Sequence, residues 1–214
     1  MDDPYLRDRR RMVEQDLRRR GIRDARVLDA MTAVPRHRFV PSAELEHAYE
    51  DRALPLDVGQ TISQPYIVGY MTELLRVEPA HRVLGVGTGS GYQTAVLAWL
   101  ATEVFTVERI GDLQGAAGEL LEDLGVANVR FKVGDGTLGW AEHAPYDRIL
   151  VTAGAPDVPA HLKNQLVENG GRMVIPVGDA DLQELVAVTR MGNQWTSESL
   201  MGCRFVPLVG DEGW

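Results

Sequence analysis

Arg82-Val83-Leu84-Gly85-Val86-Gly87-Thr88-Gly89-Ser90-Gly91-Tyr92-Gln93 is the stretch that decides the fold. A short apolar run, Val83 to Val86, enters glycines on alternating positions and leaves into Thr94-Ala95-Val96-Leu97-Ala98, which has the composition of a helix. This pattern predicts strand, tight turn, helix. Such a turn aims unpaired backbone N–H groups and a positive helix end at one point, and glycine removes the Cβ that would keep a ligand off the backbone. The stretch reads as a cradle for a bound group.

Spacing decides which group. A dinucleotide fingerprint, G-x-G-x-x-G, fails in both registers, because the sixth position is Tyr92 counted from Gly87 and Ser90 counted from Gly85. A P-loop requires Gly-Lys-Ser/Thr, and no lysine precedes Lys132. What remains is G-x-G-x-G at Gly87, Gly89 and Gly91, with Glu108 closing the next apolar run, Val104 to Val107. A carboxylate about 20 residues past the glycines, at the end of the second strand, is placed to accept hydrogen bonds from ribose hydroxyls. The pattern resembles the S-adenosylmethionine (AdoMet) loop of class I methyltransferases.

Strands and helices alternate outward from that turn, as in a parallel sheet with helices on both faces. The expected strands are Val83–Val86, Val104–Val107, Val129–Val133, Tyr146–Thr152 and Arg172–Pro176. Helices are expected over Gln93–Trp99, Gly111–Leu124 and Val158–Glu168. Leu182–Thr189 and Trp195–Val209, joined by Met191-Gly192-Asn193-Gln194, read as an antiparallel edge. Gly85 to Gly91, Glu108 and Asp135 all fall at carboxyl ends of strands, where ligands bind in such sheets. Asp135, followed by Gly136, either caps a turn or meets the adenine amino group.

Before the sheet, Leu6, Val13 and Leu17 recur at helical spacing up to Gly21, and Val27, Leu28 and Met31 share one face of a second helix stopped by Pro35. Residues 35–55 read as a connector. In Gly59-Gln60-Thr61-Ile62-Ser63-Gln64-Pro65-Tyr66, Thr61 and Ser63 would share one face of an extended segment, and Pro65 can open a helix to Leu75. From the residues alone, Ser63 is either a cap for that helix or a functional hydroxyl.

The chain has 214 residues, 44% hydrophobic and 25% charged, enough for one substantial core with an appendage. The expected organisation is a helical cap with the serine loop over 1–80 and a Rossmann-like unit over 81–214. Net charge is −9, yet residues 1–39 carry eleven arginines against seven acids. Acids interleave that arm, so a helix face docking on an acidic body is expected rather than nucleic-acid binding. No apolar run approaches the roughly 18 residues of a membrane span, and the N-terminus lacks signal-peptide order, so a cytoplasmic protein is expected. The single cysteine, Cys203, is assigned no role.

Taken together these stretches resemble the protein-L-isoaspartate O-methyltransferase family from about residue 8 to about residue 210. The specific segments are Val34-Pro35-Arg36-His37, Gly59 to Tyr66, Gly87 to Gln93, Val107-Glu108-Arg109, Gly134-Asp135-Gly136 and Arg204-Phe205-Val206-Pro207-Leu208. The resemblance implies a class I, doubly wound, mostly parallel α/β fold and methylation of the side-branch carboxylate of isoaspartyl residues, with AdoMet as methyl donor and no metal. The methyl ester then collapses to a succinimide that can reopen as aspartate. It implies Ser63 and Thr61 as catalytic, and Gly85, Gly87, Thr88, Gly89, Ser90, Gly91, Glu108, Arg109, Asp135 and Gly136 at the cofactor. Gln60, Ile62, Arg204, Phe205 and Val206 would meet the substrate, an isoaspartyl protein or peptide engaged by a monomer. One departure stands out: Gly85 occupies a position where the family carries an acid that helps hold the methionine end of AdoMet. A side chain there is expected to point into the cleft, with Glu73 or Glu103 compensating, or the chain has a dedicated peptide substrate or weakened catalysis.

Overall fold

The arginine-rich arm forms α1 (Leu6–Met12), which runs on through a π-helical turn at Val13–Leu17 and a 3-10 turn at Arg18–Arg20 until Gly21, at φ +108°, ends it. Met12, Val13 and Leu17 are buried from this run, and Val27, Leu28 and Met31 from α2 (Ala25–Ala33). Asp24 caps α2 by accepting from the Arg26 N–H at 2.9 Å. The arm docks through these apolar residues, and Arg9 is buried with them. Only 4% exposed, it donates to the Thr32 and Ala33 carbonyls and pairs with Asp3.

The connector holds 3-10 turns at Arg36–Phe39 and Ser42–His47, then a two-stranded hairpin the sequence did not suggest, β1 (Leu54–Pro55) against β2 (Thr61–Ile62). Helix α3 (Pro65–Leu75) opens on its proline as expected. The computed structural model describes residues 3–56 and 59–214, so Met1, Asp2, Asp57 and Val58 of the cap and serine loop lie outside the described residues.

From Arg82 the alternation runs β3 (Arg82–Val86), α4 (Tyr92–Leu100), β4 (Glu103–Glu108), α5 (Gly111–Asp123), β5 (Val129–Val133), β6 (Arg148–Val151), α6 (Ala160–Asn164) and β7 (Asn169–Gly178). Then come β8 (Gln183–Met191) and β9 (Gln194–Cys203). The sheet order is β5-β4-β3-β6-β7-β8-β9, parallel through β7, with β8 and β9 antiparallel. Strand order reverses at β3, and that switch point is where the glycine turn emerges.

Two expected elements differ. The helix expected over Val158–Glu168 is only Ala160–Asn164, because Tyr146 N donates to Gln165 O at 2.7 Å and Val167 N to Tyr146 O at 2.9 Å, which commits the following backbone to strand-like pairing. The last strand stops at Cys203 instead of reaching Val209. Beyond it, Gly154 N donates to Val206 O and Leu208 N to Gly154 O, drawing the chain off the edge and across the end of β6.

One apolar cluster joins the cap to the sheet, running from Met12 and Leu28 through Met71 and Val96 to Leu150 and Val174. A second, around Leu84, Phe105, Ile149 and Ile175, fills the opposite face under α6 and the C-terminal segment. The sheet is therefore packed on both faces.

Candidate active site

The turn after β3 is built around Gly87, at φ +91°, where a Cβ would lie 2.4 Å from Thr152 Oγ1. No other residue fits there. The Thr152 hydroxyl lies within hydrogen-bond distance of the Val86 and Gly87 carbonyls, at 3.0 and 2.9 Å, and ties the turn to the strand beside it. Gly89 is different: it too has positive φ, +52°, but a Cβ would meet nothing within 4 Å, because the residue faces open cleft. Backbone can approach a ligand there.

Glu108, 8% exposed at the end of β4, faces that backbone. Its Oε2 accepts from Gly89 N at 3.0 Å and its Oε1 from Ile110 N at 2.9 Å. The carboxylate is thus oriented by two amides and retains lone pairs for further donors such as vicinal hydroxyls.

Opposite stands the serine loop. Leu54 pairs with Ile62 and Pro55 with Thr61, so alternation buries Ile62 to 3% and leaves Thr61 and Ser63 toward the cleft. Ser63 does not cap α3. The N-cap position is Gln64, without a side-chain cap, and Tyr66 N is taken by Asp51 Oδ1 at 2.9 Å. The competing structural role for Ser63 therefore belongs to Asp51.

The third wall is the C-terminal segment from Met201 to Val209. Phe205 N donates to Gln183 Oε1 at 2.8 Å, and Val206 O is held by Gly154 N. Arg204 is exposed at the rim, 4.0 Å from Asp181. Burial, reinforced by Glu184, pushes the Cys203 thiol up to about 11, so it stays protonated and unreactive at neutral pH.

These walls enclose one continuous cleft of about 820 Å³. Every residue assigned from the sequence lines it except Gly85, Gly91 and Asp135. Gly91 instead lets the turn approach α5, since a Cβ would sit 3.2 Å from the Ala117 methyl. Asp135 caps a 3-10 turn, one of the two roles named for it above. Its Oδ1 accepts from Thr137 N and Oγ1, and its Oδ2 from Asp211 N. Burial opposes its charge, but those bonds prevail and hold its pKa below the usual carboxylate range. Gly85 is buried between Thr106 and Leu150, and a Cβ there would meet Thr106 Oγ1 at 3.5 Å. The proposed substitutes fail as well. Glu73 accepts from the Arg23 and Asp24 amides, and Glu103 pairs with Arg82 and Arg130; neither lines the cleft. Missed from the sequence were Thr152, at a strand end beside the glycine turn, and Gln93, whose side chain donates to Thr72 Oγ1 at 3.0 Å. Position after β6 was the one available signal for Thr152.

A switch-point glycine turn facing an amide-held carboxylate, on a seven-stranded sheet with an antiparallel edge, defines a class I methyltransferase. The comparisons with known proteins narrow this further. The family model for protein-L-isoaspartate(D-aspartate) O-methyltransferase matches residues 7–213. The chain is 53% identical to the protein-L-isoaspartate O-methyltransferase of Dictyoglomus thermophilum, over all of this chain and 96% of that one. It is 56% identical to protein-L-isoaspartate O-methyltransferase 2 of Pelobacter propionicus, over all of this chain and 97% of that one. A solved protein-L-isoaspartate O-methyltransferase superposes with TM-score 0.86 at 30% identity, covering 95% of this chain and 67% of that one. A Plasmodium falciparum protein described by the same activity, crystallised with S-adenosyl-L-homocysteine, gives TM-score 0.80 at 27% identity, covering 94% and 98%. This chain belongs to the protein-L-isoaspartate(D-aspartate) O-methyltransferase family.

Proposed function

We propose that this chain methylates the side-branch carboxylate of L-isoaspartyl residues in damaged proteins, using AdoMet, with Ser63 as the residue that orients the carboxylate. The observation that carries this reading is the single cleft shared by the glycine turn, Glu108 and the Ser63 loop. The residues present fit the cofactor: Gly89 leaves open space against bare backbone, and Glu108 offers an oriented, charged acceptor to ribose hydroxyls. When bound, AdoMet supplies a methyl group already activated by its sulfonium.

A substrate carboxylate is already ionised at pH 7 and needs no base. The protein's task is alignment, which can contribute several kcal/mol. Ser63 donates its hydroxyl to one carboxylate oxygen. Thr61 braces the loop from the paired strand, while buried Ile62 anchors it. Gln60 lies at the entry, and Arg109 flanks the cofactor side beside Glu108. Phe205 N and Val206 O are already engaged, so backbone contacts that hold an extended peptide along Arg204-Phe205-Val206 fall to the other amides and carbonyls of that segment. The cap (1–80) and the Rossmann-like unit (81–214) work together as a monomer in the cytoplasm; among the described residues no helix is long and apolar enough to cross a membrane.

Methyl transfer from labelled AdoMet to an isoaspartyl peptide and to its normal aspartyl twin tests the assignment. Only the isoaspartyl peptide should be labelled. Equal labelling of both, or labelling of neither while S-adenosylhomocysteine binds, rejects it. Ser63→Ala should lower turnover by roughly 1–3 kcal/mol in the transition state, with smaller loss of cofactor affinity.

A further inference from the structure

Asp51 gathers contacts that the proposed chemistry leaves unexplained. Its Oδ1 accepts from Tyr66 N at 2.9 Å. Its Oδ2 accepts from Gln64 Nε2 at 2.7 Å and pairs with Arg20 of the N-terminal arm, while its own carbonyl accepts from the same Gln64 Nε2 at 2.9 Å. The Arg20 guanidinium lies 3.7 Å from the centre of the Tyr66 ring. The Asp51 side chain is only 15% exposed.

These bonds fall on the residues just after Ser63. The residues just before it, Thr61 and Ile62, pair with Pro55 and Leu54. Ser63 is thus suspended between two attachments, and both belong to residues 51–55. This splint is tied to the cofactor side as well. Arg36 Nε donates to Ala48 O at 2.8 Å, and the Arg36 guanidinium, fully buried, lies 4.9 Å from the Tyr92 ring at the exit of the glycine turn. A carboxylate in this place sets where Ser63 stands relative to the cradle.

We infer that Asp51, clamped by Arg20 and Gln64, is a positioning residue for methyl transfer that acts by holding Ser63 in register with the cofactor turn. The inference rests on the reading of Ser63 given above. A cap for α3 alone would need only the bond to Tyr66 N. The Gln64 clasp and the reach of Arg20 from another helix instead secure the loop segment itself.

The test is a double-mutant cycle on the full chain: Asp51→Ala, Ser63→Ala and the pair, assayed for kcat and KM with an isoaspartyl peptide and for S-adenosylhomocysteine affinity by calorimetry. Asp51→Ala should lower kcat about tenfold while cofactor affinity stays within about twofold, and in the Ser63→Ala background most of its effect should vanish, since the two act through one hydroxyl. Asp51→Asn should recover part of the loss, because its amide oxygen still accepts from Tyr66 N; if the alanine variant does not fold, this variant takes its place in the cycle. Additive losses with Ser63→Ala itself impaired would overturn the positioning role alone. Full turnover by Ser63→Ala would overturn the reading of Ser63 on which it rests. A loss in Asp51→Ala confined to melting temperature or cofactor affinity would reduce Asp51 to a helix cap.

Discussion

Gly85→Ala separates a ligand contact from a packing position. Gly85 pairs with Thr106 on one side and Leu150 on the other, in the middle of the sheet. An added Cβ would meet Thr106 Oγ1 at 3.5 Å, the Phe105 carbonyl at 3.8 Å and Thr106 Cβ at 3.9 Å, all ordinary contacts. Nothing must move. Removing glycine's freedom from the unfolded chain stabilises by about 0.4–1 kcal/mol at a compatible site, and burying one methyl contributes up to about 0.8 kcal/mol. A net gain of about 1 kcal/mol should raise the melting temperature by roughly 2–4 °C in a chain of this size. Since Gly85 does not line the cleft, S-adenosylhomocysteine affinity should stay within about twofold, a difference of well under 1 kcal/mol. Differential scanning calorimetry and isothermal titration on the two proteins measure both quantities. A melting point unchanged or raised together with a clear loss of ligand affinity would refute the placement, because it would mean that bare backbone at Gly85 is needed for binding.

Three further outcomes follow from the same geometry. Glu108→Gln keeps one acceptor but turns an amide N–H toward Gly89 N or Ile110 N, so S-adenosylhomocysteine affinity should fall about 10- to 100-fold by calorimetry. Asp135 has a depressed folded pKa, so its contribution to stability is present above the usual carboxylate range and is lost as pH falls through the folded value; denaturant titrations from pH 5 to 3 should show a shallower decline for Asp135→Asn. With its thiol near 11, Cys203 should carry thiolate in about one molecule in a thousand at pH 8, and iodoacetamide should label the native protein far more slowly than the unfolded chain.

The central strands β3, β4, β6 and β7 were legible because each carries a short apolar run closed by a turn signal, and burial on both faces leaves such runs little alternative; the edge strand β5 instead alternates Val129, Phe131 and Val133 with Arg130 and Lys132. The two halves of the cleft were legible for a different reason. Glycine at a forced positive φ and a carboxylate at a strand end leave local marks, and Thr61 and Ser63 share a face through simple alternation. What the sequence does not carry is which partner wins a given polar group. Asp135 sits where a ligand-binding acid could sit, and its oxygens also accept from Thr137 nearby and from Asp211, 76 residues later. The bond from Asp211 depends on the folded path of the C-terminal segment, which no local pattern records.

The same limit applies to Ser63, with the opposite result. Its position before Pro65 made a capping role as reasonable as a functional one, since a serine near a helix start satisfies orphan amides. The capping role is taken by a residue with no local signal at all. Asp51, 12 positions earlier than Ser63 in the connector, supplies the acceptor that α3 needs, and in doing so leaves the serine hydroxyl uncommitted at the cleft. A hydroxyl can be spared for chemistry only when another group meets the backbone's demand. In this fold the residue that meets it also braces the segment carrying Ser63, so that, on the reading proposed above, the helix cap and the alignment of the substrate carboxylate depend on one side chain.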